Sequence, residues 1–454
     1  MPERQAGSPG LTGEVLTKLR NLGGPGGTGP AATLPGGLRH GMRAFRSRDF
    51  RVFFVGALAS NSGNWLQNIA VPFVLFELTG RSLWVGLAGF AQFIPGFLLG
   101  PFGGSLADRG DRRRVLLVCQ GLMAATAFAL WGAWALDWRD PTLILGLTAV
   151  TGVFSGVMVP SWQAFVPELV DKDDLPSAIT LNSTQFNASR AIGPAVAGIV
   201  LATAGPGLAF FLNGVSFVAV LAALAAIRVR SERASLPNKD GVAAGFTEAL
   251  TYIRARTGLM VSIACAMLVA FFGNPVTQFT VVFAEDVYAA GPRVLGVLAA
   301  AIGIGAVLIA PALSIWDTTR PRSTVVRFGL PIYALAVMGF GLAPTWPLGL
   351  AALLVSGGSF LVVVASTNTS IQLIVADHMR GRVISARVMG FTLAFPLGSL
   401  LQGVMADAWG PQLTVIIAGG LLLVAAGVLV SKPGLLASLD RVDDTPDRAE
   451  HRSA

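Results

Sequence analysis

Amide side chains recur inside the long apolar stretches of this 454-residue chain. An amide buried without a partner is costly, so these side chains must face other polar groups or water. Grouped around one cavity, they could bind an uncharged or amphipathic small molecule, and one arginine among them could attract an anion. Hydrogen bonding between helices is the alternative that the sequence leaves open. The cavity candidates are Asn61, Asn64, Asn68, Gln92, Gln163, Gln185, Arg190, Asn274, Gln278, Asn368 and Gln372.

Catalytic and metal-binding groups do not cluster in this way. His40, His378 and His451 lie far apart in the sequence and away from acid pairs at ligand spacing, which disfavours an enzyme. Cys119 and Cys265 lie inside apolar stretches and offer neither a disulfide framework nor a zinc site. A phosphate-binding loop of the type G-x-x-x-x-G-K-[ST] is absent, as are repeated filter residues of a channel. We expect no catalytic residue, no metal and no cofactor.

The elements that carry these amides are apolar helices. Hydrophobic residues make up 53% of the chain and charged residues 13%, about half the charged share of a soluble protein. The apolar stretches have the length that spans a bilayer, where the backbone must be helical. A secreted domain, a cytosolic enzyme and a disordered chain are therefore excluded. We predict an all-α membrane protein with twelve transmembrane helices, near residues 52–78, 83–106, 115–136, 142–166, 178–203, 207–227, 258–284, 293–315, 324–342, 348–375, 383–406 and 411–431.

Lysine and arginine are sorted between the two sets of loops. The loops on the side of the termini, the flanking residues 39–51 and the middle stretch together hold 23 of the 33 basic residues, whereas the opposite loops hold Arg81, Arg139 and Arg293. By the positive-inside rule, both termini are cytoplasmic in a multi-pass protein of the plasma membrane. The net charge of +8 is then an orientation signal, and no nucleic-acid partner is implied.

The two halves of the chain resemble each other. At an offset of 205 residues Gly198 falls on Gly403, and at an offset of 210 residues Gly86 falls on Gly296. Parallel repeats of this kind, related by an axis along the membrane normal, occur in a large class of transporters. Amides repeat as well, which favours a cavity shared by the halves: the pairs are Asn64 with Asn274, Asn68 with Gln278, and Gln163 with Asn368.

A polar stretch between the sixth and seventh helices separates two pseudo-symmetric six-helix bundles. Its second part has apolar residues at helical spacing and predicts a short amphipathic helix on the membrane surface. The predicted organisation is a disordered cytoplasmic tail (1–45), an N-terminal bundle (46–227), a cytoplasmic linker (228–257), a C-terminal bundle (258–431) and a cytoplasmic tail (432–454).

The loop after the second helix, GGSLADRGDRRR at residues 103–114, resembles the signature G-x-x-x-D-R-x-G-R-R of the major facilitator superfamily. The phrases LADRGDRRRVLL and MRGRVISARVMGF are similar to those of the bacterial branch with siderophore and drug exporters. This resemblance implies that the Asp108 carboxylate meets the start of the eleventh helix, while nearby arginines form charge pairs that close the cytoplasmic side. The arginines could instead only set the topology. The implied cytoplasmic gate is Gly104, which would allow close packing, with Asp108, Arg109, Arg112 and Arg113.

The fifth helix is similar to the exporter motif G-x-x-x-G-P-x-x-G-G. Small residues four apart allow close helix packing, and a proline bends the helix. The resemblance implies a bending interface with the eighth helix, where Gly303 and Gly305 are candidate partners; glycine-rich packing of any membrane bundle is the alternative. The packing residues are Ser189, Gly193, Pro194 and Gly198.

These features predict a secondary transporter that exports small amphipathic molecules, such as a drug, siderophore or other secondary metabolite, by alternating access as a monomer. An importer of a small polar nutrient is the alternative, ahead of a non-transporting receptor or an enzyme. The expected partners are the small-molecule substrate, the lipid bilayer and protons as the coupling ion. Glu77, at the end of the first helix, is the candidate proton carrier, although the fourth helix lacks the arginine of many proton-coupled relatives.

Overall fold

Helices form the regular structure of the computed structural model, which describes residues 41–228 and 242–441. Ten of the helices in this part are long and apolar enough to cross a membrane. The helix at 48–79 is not among the ten, because amides lower the hydropathy of its middle. In chain order, the helices are α1 (Arg48–Thr79), α2 (Ser82–Arg109), α3 (Arg112–Ala135), α4 (Pro141–Phe165), α5 (Leu175–Ala226), α6 (Val242–Arg254), α7 (Thr257–Val287), α8 (Gly291–Thr319), α9 (Arg322–Leu342), α10 (Trp346–Ile374), α11 (Arg380–Trp409), α12 (Pro411–Ser431) and α13 (Pro433–Ala437).

The helix α5 reverses direction at Gly205. Its 52 residues would extend for about 78 Å if straight, more than twice the thickness of the hydrocarbon core. Gly205 has φ 74° and ψ 179°, a conformation that is almost confined to glycine. The first arm, 175–204, runs parallel to α1, since Asn61 contacts Gln185 and Trp65 contacts Gly193. The second arm, 206–226, runs antiparallel to α1, since Gly56 contacts Ala223 and Gly63 contacts Ser216.

The turns between the spanning helices form two groups, one at each end of the bundle. We call one group the Arg81 end; it comprises residues 80–81, 136–140, 205, 289–290, 343–345 and 410. We call the other group the Asp111 end; it comprises residues 110–111, 166–174, 227–228, 320–321, 375–379 and 432. The described segments 41–228 and 242–441 are called the first and second halves.

Two glycine pairs join the halves near the Arg81 end. A Cβ atom added to Gly198 of α5 would overlap the backbone of Gly296 in α8, and one added to Gly403 of α11 would lie 3.2 Å from the Cα atom of Gly86 in α2. Small residues at these positions let the helix backbones touch. In the internal repeat, Gly198 corresponds to Gly403 at the offset of 205 residues, and Gly86 corresponds to Gly296 at the offset of 210 residues. The two contacts are therefore related by the repeat.

Glycine contacts within the halves follow the same offsets. Gly152 lies against the carbonyl of Gln92 in the first half, and Gly357 lies against the carbonyl of Ile302 in the second. The repeat in the sequence is therefore also a repeat of packing. A second matched pair of contacts is Gly214 with Phe128 and Gly419 with Met338.

The partner of the fifth-helix motif differs from the one expected from the sequence. Gly296, and not Gly305, packs against Gly198, while Gly305 lies against Leu354 and Gly358 of α10. The contact between α5 and α8 lies near the Arg81 end, whereas Gly305 lies nine residues, or about 14 Å, further along α8. The prediction for Gly305 is therefore wrong.

The segments that flank the spanning helices are partly ordered. Residues 1–40, 229–241 and 442–454 lie outside the described residues. Arg43–Arg46 form a 3₁₀ helix, and the Ala44 N–H donates a hydrogen bond to Ser177 Oγ at 3.1 Å, so the predicted disorder of 1–45 is wrong for this turn. In the linker, α6 buries Ala249 and Ile253.

We expect Gly205→Ala to destabilise the protein by roughly 1–3 kcal/mol, because an alanine is strained at a positive φ. Thermal unfolding of the purified protein in detergent measures this loss. Gly420→Ala is the matched control, since a Cβ atom there would meet nothing within 4 Å. Equal melting temperatures for the two variants would contradict the assigned role of Gly205.

Candidate functional site

The described contacts between α2 and α11 start at the Arg81 end, with Arg81 and Asp407, and continue at Gly86 and Gly403. Further along the two helices, Phe93 and Phe395 make an edge-to-face contact, with ring centroids 5.0 Å apart. Beyond this point, Cβ atoms added to Gly100 and Gly104 would meet nothing within 4 Å. These open positions indicate that the helices separate toward the Asp111 end, and we expect a cavity between the halves to open there.

An ion pair closes the Arg81 end between the halves. Arg81 Nε donates to Asp407 Oδ2 at 3.0 Å, and the Leu83 N–H donates to Asp407 Oδ1 at 3.1 Å. The first turn of α2 has no side-chain cap of its own. A carboxylate from α11 therefore caps α2, where unpaired N–H groups and the helix dipole favour negative charge.

Several of the candidate amides are paired between helices. Asn61 Nδ2 donates to Gln185 Oε1 at 3.2 Å, which joins α1 to α5. Gln92 Nε2 donates to Asn68 Oδ1 and joins α2 to α1. Each of these four amides makes one hydrogen bond between helices, as the alternative interpretation of the sequence expects, while Gln185 Nε2 is buried without a partner in the described residues.

Five other candidate amides have no hydrogen bond within the part of the chain that the structure describes. Gln163 on α4 and Gln372 on α10 are exposed. Asn64 on α1 and Asn274 on α7 are half-buried at repeat-related positions, and Gln278 lies one turn further along α7. Because their amide groups are free, these residues remain the better candidates for contacts with a substrate.

Arg190 lies between the two halves. It is near the middle of the first arm of α5, about 22 Å from the start of that helix. Its guanidinium carbon lies 5.5 Å from the ring centroid of Phe360 on α10, and it interacts electrostatically with Tyr333 on α9. Among the described residues, Arg190 has no hydrogen bond and no ion pair. Arg190 is therefore a positive charge far from the ends of the helix bundle, without an ion-pair partner among the described residues.

Arg387 is a further arginine between helices, and its role is not evident from the sequence alone. It lies on α11, two turns after Arg380, where the count of basic residues assigns it to the cytoplasmic loop. Its guanidinium donates to Asn368 Oδ1 at 3.2 Å and to the Val364 carbonyl at 3.1 Å. The sequence feature that could have identified Arg387 as an intramembrane charge is its position inside the predicted helix 383–406.

Gln402 is a second residue whose role the sequence does not reveal. Its Nε2 atom donates to the carbonyls of Phe271 and Phe272 at 3.1 and 3.0 Å. These carbonyls lie in the π-helical turn Val269–Gly273 of α7, two residues before Pro275, which has no N–H to donate. The amide from α11 therefore stabilises the irregular backbone of α7.

Two of the predicted gate arginines bind within the first half. Arg112 forms an ion pair with Glu168, in the turn after α4. Arg113 donates to the carbonyls of Leu224 and Ala225 at 2.8 Å each. These carbonyls are at the C-terminus of α5, where the helix dipole favours a positively charged side chain. In this conformation Arg113 does not pair with the second half within the described residues, so the expected charge pair between the halves is not present for this residue.

The rest of the predicted gate lies at the end of α2. Gly104 makes no close contact; the close approach to α4 is made by Gly103, which lies against the Val157 backbone. The expected tight packing is therefore shifted by one residue. Asp108 and Arg109 belong to the last turn of α2, and their side chains lie outside what the structure describes.

The motif in α5 packs on both sides of the arm. Ser189 Oγ lies 3.3 Å from Ser62 Oγ of α1, and Gly193 lies against Trp65. On the other side, the Pro194 carbonyl faces Gly296 of α8. The predicted packing residues therefore contact one helix of each half.

Glu77 is exposed at the Arg81 end, three residues before Gly80. It lies about 20 Å along α1 from Asn64. Its electrostatic neighbour is Glu285 of α7, whose Oε1 atom is buried without a hydrogen-bond partner in the described chain. The proton-carrier candidate thus belongs to an acidic pair at the closed end and lies away from the amides.

Comparison with known proteins decides the family. The profile of the transmembrane secretion effectors matches residues 40–450. The chain belongs to this family of the major facilitator superfamily. It is 23% identical to the staphyloferrin A transporter of Staphylococcus aureus over 81% of this chain and 92% of that protein. It is 24% identical to the multidrug efflux pump Tap of Mycolicibacterium fortuitum, over 84% and 94% of the two chains.

A solved structure has the same fold. The bacterial homologue of the human lysosomal transporter Spinster, inward-facing and occupied, matches 88% of this chain and 100% of its own with a TM-score of 0.70 and 15% identity. The chain is therefore a multi-pass membrane transporter from the branch with siderophore and drug transporters, and not an enzyme.

We expect Asp407→Asn to loosen the Arg81 end, because it removes the charge that caps α2 and pairs with Arg81. If the variant loses about 1 kcal/mol of the free energy that keeps this end closed, the population of molecules open at this end rises about fivefold. Alkylation of a cysteine introduced at Ser82, which is buried at this end, measures the opening. The native cysteines are buried and give a low background.

The matched control for this measurement is Asp137→Asn. Asp137 also lies at the Arg81 end, but it pairs with Arg139 of the same turn at 2.8 Å. We expect its labelling rate to equal that of the unchanged protein. Equal labelling in both variants would show that Asp407 does not hold the halves together.

Proposed function

We propose that this transporter exports small amphipathic molecules, such as a drug, siderophore or other secondary metabolite, across the plasma membrane by alternating access. The observation that carries the proposal is the asymmetry of contacts between the halves. They touch at the Arg81 end through glycine pairs and the Asp407 carboxylate, and they separate toward the Asp111 end. Rigid halves that close at one end of a cavity can expose it to one side at a time.

The proposed topology has twelve transmembrane helices in two six-helix bundles. Helices α1–α4 and the two arms of α5 form the first bundle, and α7–α12 form the second. The distribution of basic residues assigns the Asp111 end and both termini to the cytoplasm. The open cavity then faces the side from which an exporter takes its substrate.

Two carboxylates would exchange roles during the cycle. Asp407, at the end of α11, caps the start of α2 at the closed Arg81 end. By the family resemblance, Asp108, at the end of α2, meets the start of α11 when the cytoplasmic end closes. Each state would thus be held by an acid from one helix at the N-terminus of the other.

The free amides define the substrate part of the proposal. Asn64, Asn274 and Gln278 offer hydrogen bonds to a molecule that lies between α1 and α7, and Trp65 offers apolar surface. Relatives that transport a siderophore or several drugs support this class of substrate.

Proton-coupled antiport is the proposed source of energy. A coupling carboxylate must change its exposure during the cycle, and the Glu77 and Glu285 pair lies at the end that would open to the outside. Titration of this pair would link opening of the Arg81 end to the proton gradient. Glu77→Gln should therefore weaken the dependence of transport on that gradient.

Uptake of a labelled compound panel into everted membrane vesicles tests the proposal. We expect accumulation that collapses when a protonophore removes the pH gradient, and reduced gradient dependence in Glu77→Gln. Asp137→Asn, an exposed acid at the same end, is the matched control and should transport normally. Accumulation that ignores the gradient would exclude proton antiport, and uptake only by right-side-out vesicles would identify an importer.

A further inference from the structure

The charges around the cavity are of one sign. On the spanning helices, every carboxylate lies within one turn of a helix end, for example Glu77, Glu285 and Asp407. The guanidinium groups of Arg190 and Arg387, by contrast, lie well inside α5 and α11. Away from the helix ends, Arg190 and Arg387 therefore add positive charge without a matching acid at the same depth on the described spanning helices.

Arg190 is half-buried and lacks the partner that a cation inside a membrane protein requires. A charge inside the membrane is costly unless it is paired, and such charges usually face a bundle interior or cavity. Arg190 reaches from the first half to the face of Phe360 in the second half, 5.5 Å away. An aromatic face stabilises a cation only weakly, so the guanidinium retains its capacity for a bidentate anion contact.

Arg387 is bound only by neutral acceptors. Its two described hydrogen bonds go to Asn368 Oδ1 and to the Val364 carbonyl, while its Nε atom is buried without a partner. These bonds fix the direction of the side chain but leave its charge uncompensated. The positive group is thus held in place before any ligand binds.

An aromatic bridge connects the two arginines. The rings of Phe360 and Phe391 have centroids 6.5 Å apart, and Phe391 lies one turn from Arg387 on α11. Val364, which accepts a hydrogen bond from Arg387, lies one turn from Phe360 on α10. The two arginines therefore contact positions one helical turn apart on the same helix, α10, and both lie beside the Phe360 and Phe391 rings.

We infer that Arg190 and Arg387 form a binding site for an amphipathic organic acid, with its carboxylate on the guanidinium groups and its apolar part on Phe360 and Phe391. This inference rests on the proposed function, since it names the class of substrate that the open cavity takes from the cytoplasm. It makes an anion, and not an uncharged or cationic compound, the preferred substrate.

Two probes of one shape test the site: 1-naphthaleneacetic acid and its uncharged amide, 1-naphthaleneacetamide. Equilibrium binding of each labelled probe to the purified full-length protein gives the dissociation constants. A charge-assisted hydrogen bond in this setting is worth about a tenfold change in affinity. We expect the acid to bind at least about tenfold more tightly than the amide.

Variants locate the binding to these residues. Arg190→Gln and Arg387→Gln should each weaken binding of the acid about tenfold and leave the amide unchanged, whereas Arg190→Lys keeps the charge and should retain most of the affinity. Arg139→Gln, in a turn at the Arg81 end, is the matched control and should bind like the unchanged protein. Gel-filtration profiles show whether each variant is folded.

Equal binding of acid and amide, retention of acid binding by Arg190→Gln, or no binding of the acid at millimolar concentration would each overturn the inference. The vesicle assay separates this failure from failure of the proposed function. Export of uncharged compounds without any preference for acids would support the proposed transport function and contradict the anion site. Binding of the acid without transport of any compound would support the anion site and contradict the proposed export.

Discussion

Contact between glycine backbones is the constraint on which the arrangement of the halves depends. At Gly198 with Gly296, and at Gly86 with Gly403, the helices approach so closely that a methyl group would collide or crowd. In a membrane the hydrophobic effect does not press helices together, so close packing of small residues and polar contacts must do so. The Asp407 carboxylate adds the polar contact. Everything beyond these points, including the cavity, follows from helices that touch at one end and diverge toward the other.

Local properties of the sequence predicted much of the fold. Span length, the position of basic residues and the repeated glycines depend on the chain alone, and the reversal at Gly205 falls between two predicted helices. The partner of Gly198 was not predictable in this way. Helix α8 offers several glycines, and only the angle at which it crosses α5 decides that Gly296 makes the contact and Gly305 turns to α10.

The candidate site was predicted in part, for a related reason. An amide in a span must be satisfied, but its type does not reveal whether a neighbour or a substrate satisfies it. Asn61 and Gln185 turned out to bind each other, whereas Asn64 and Asn274 are free. Arg387 was missed because it was counted with the basic residues of the cytoplasmic loop, and only the packing of α11 on α10 places it beside Asn368. The free arginine on α5 was visible in the sequence, but its aromatic neighbours were not.

The symmetry of the glycine pairs has a consequence for the kinetics of switching. Because the repeat carries Gly198 and Gly296 onto Gly403 and Gly86, the two contacts lie on opposite sides of one pseudo-symmetry axis. A rigid rotation of the halves must break both contacts in the same movement, and neither can open alone without bending a helix. The closed end therefore releases cooperatively, so intermediates with one contact broken should be scarce and the passage between states abrupt.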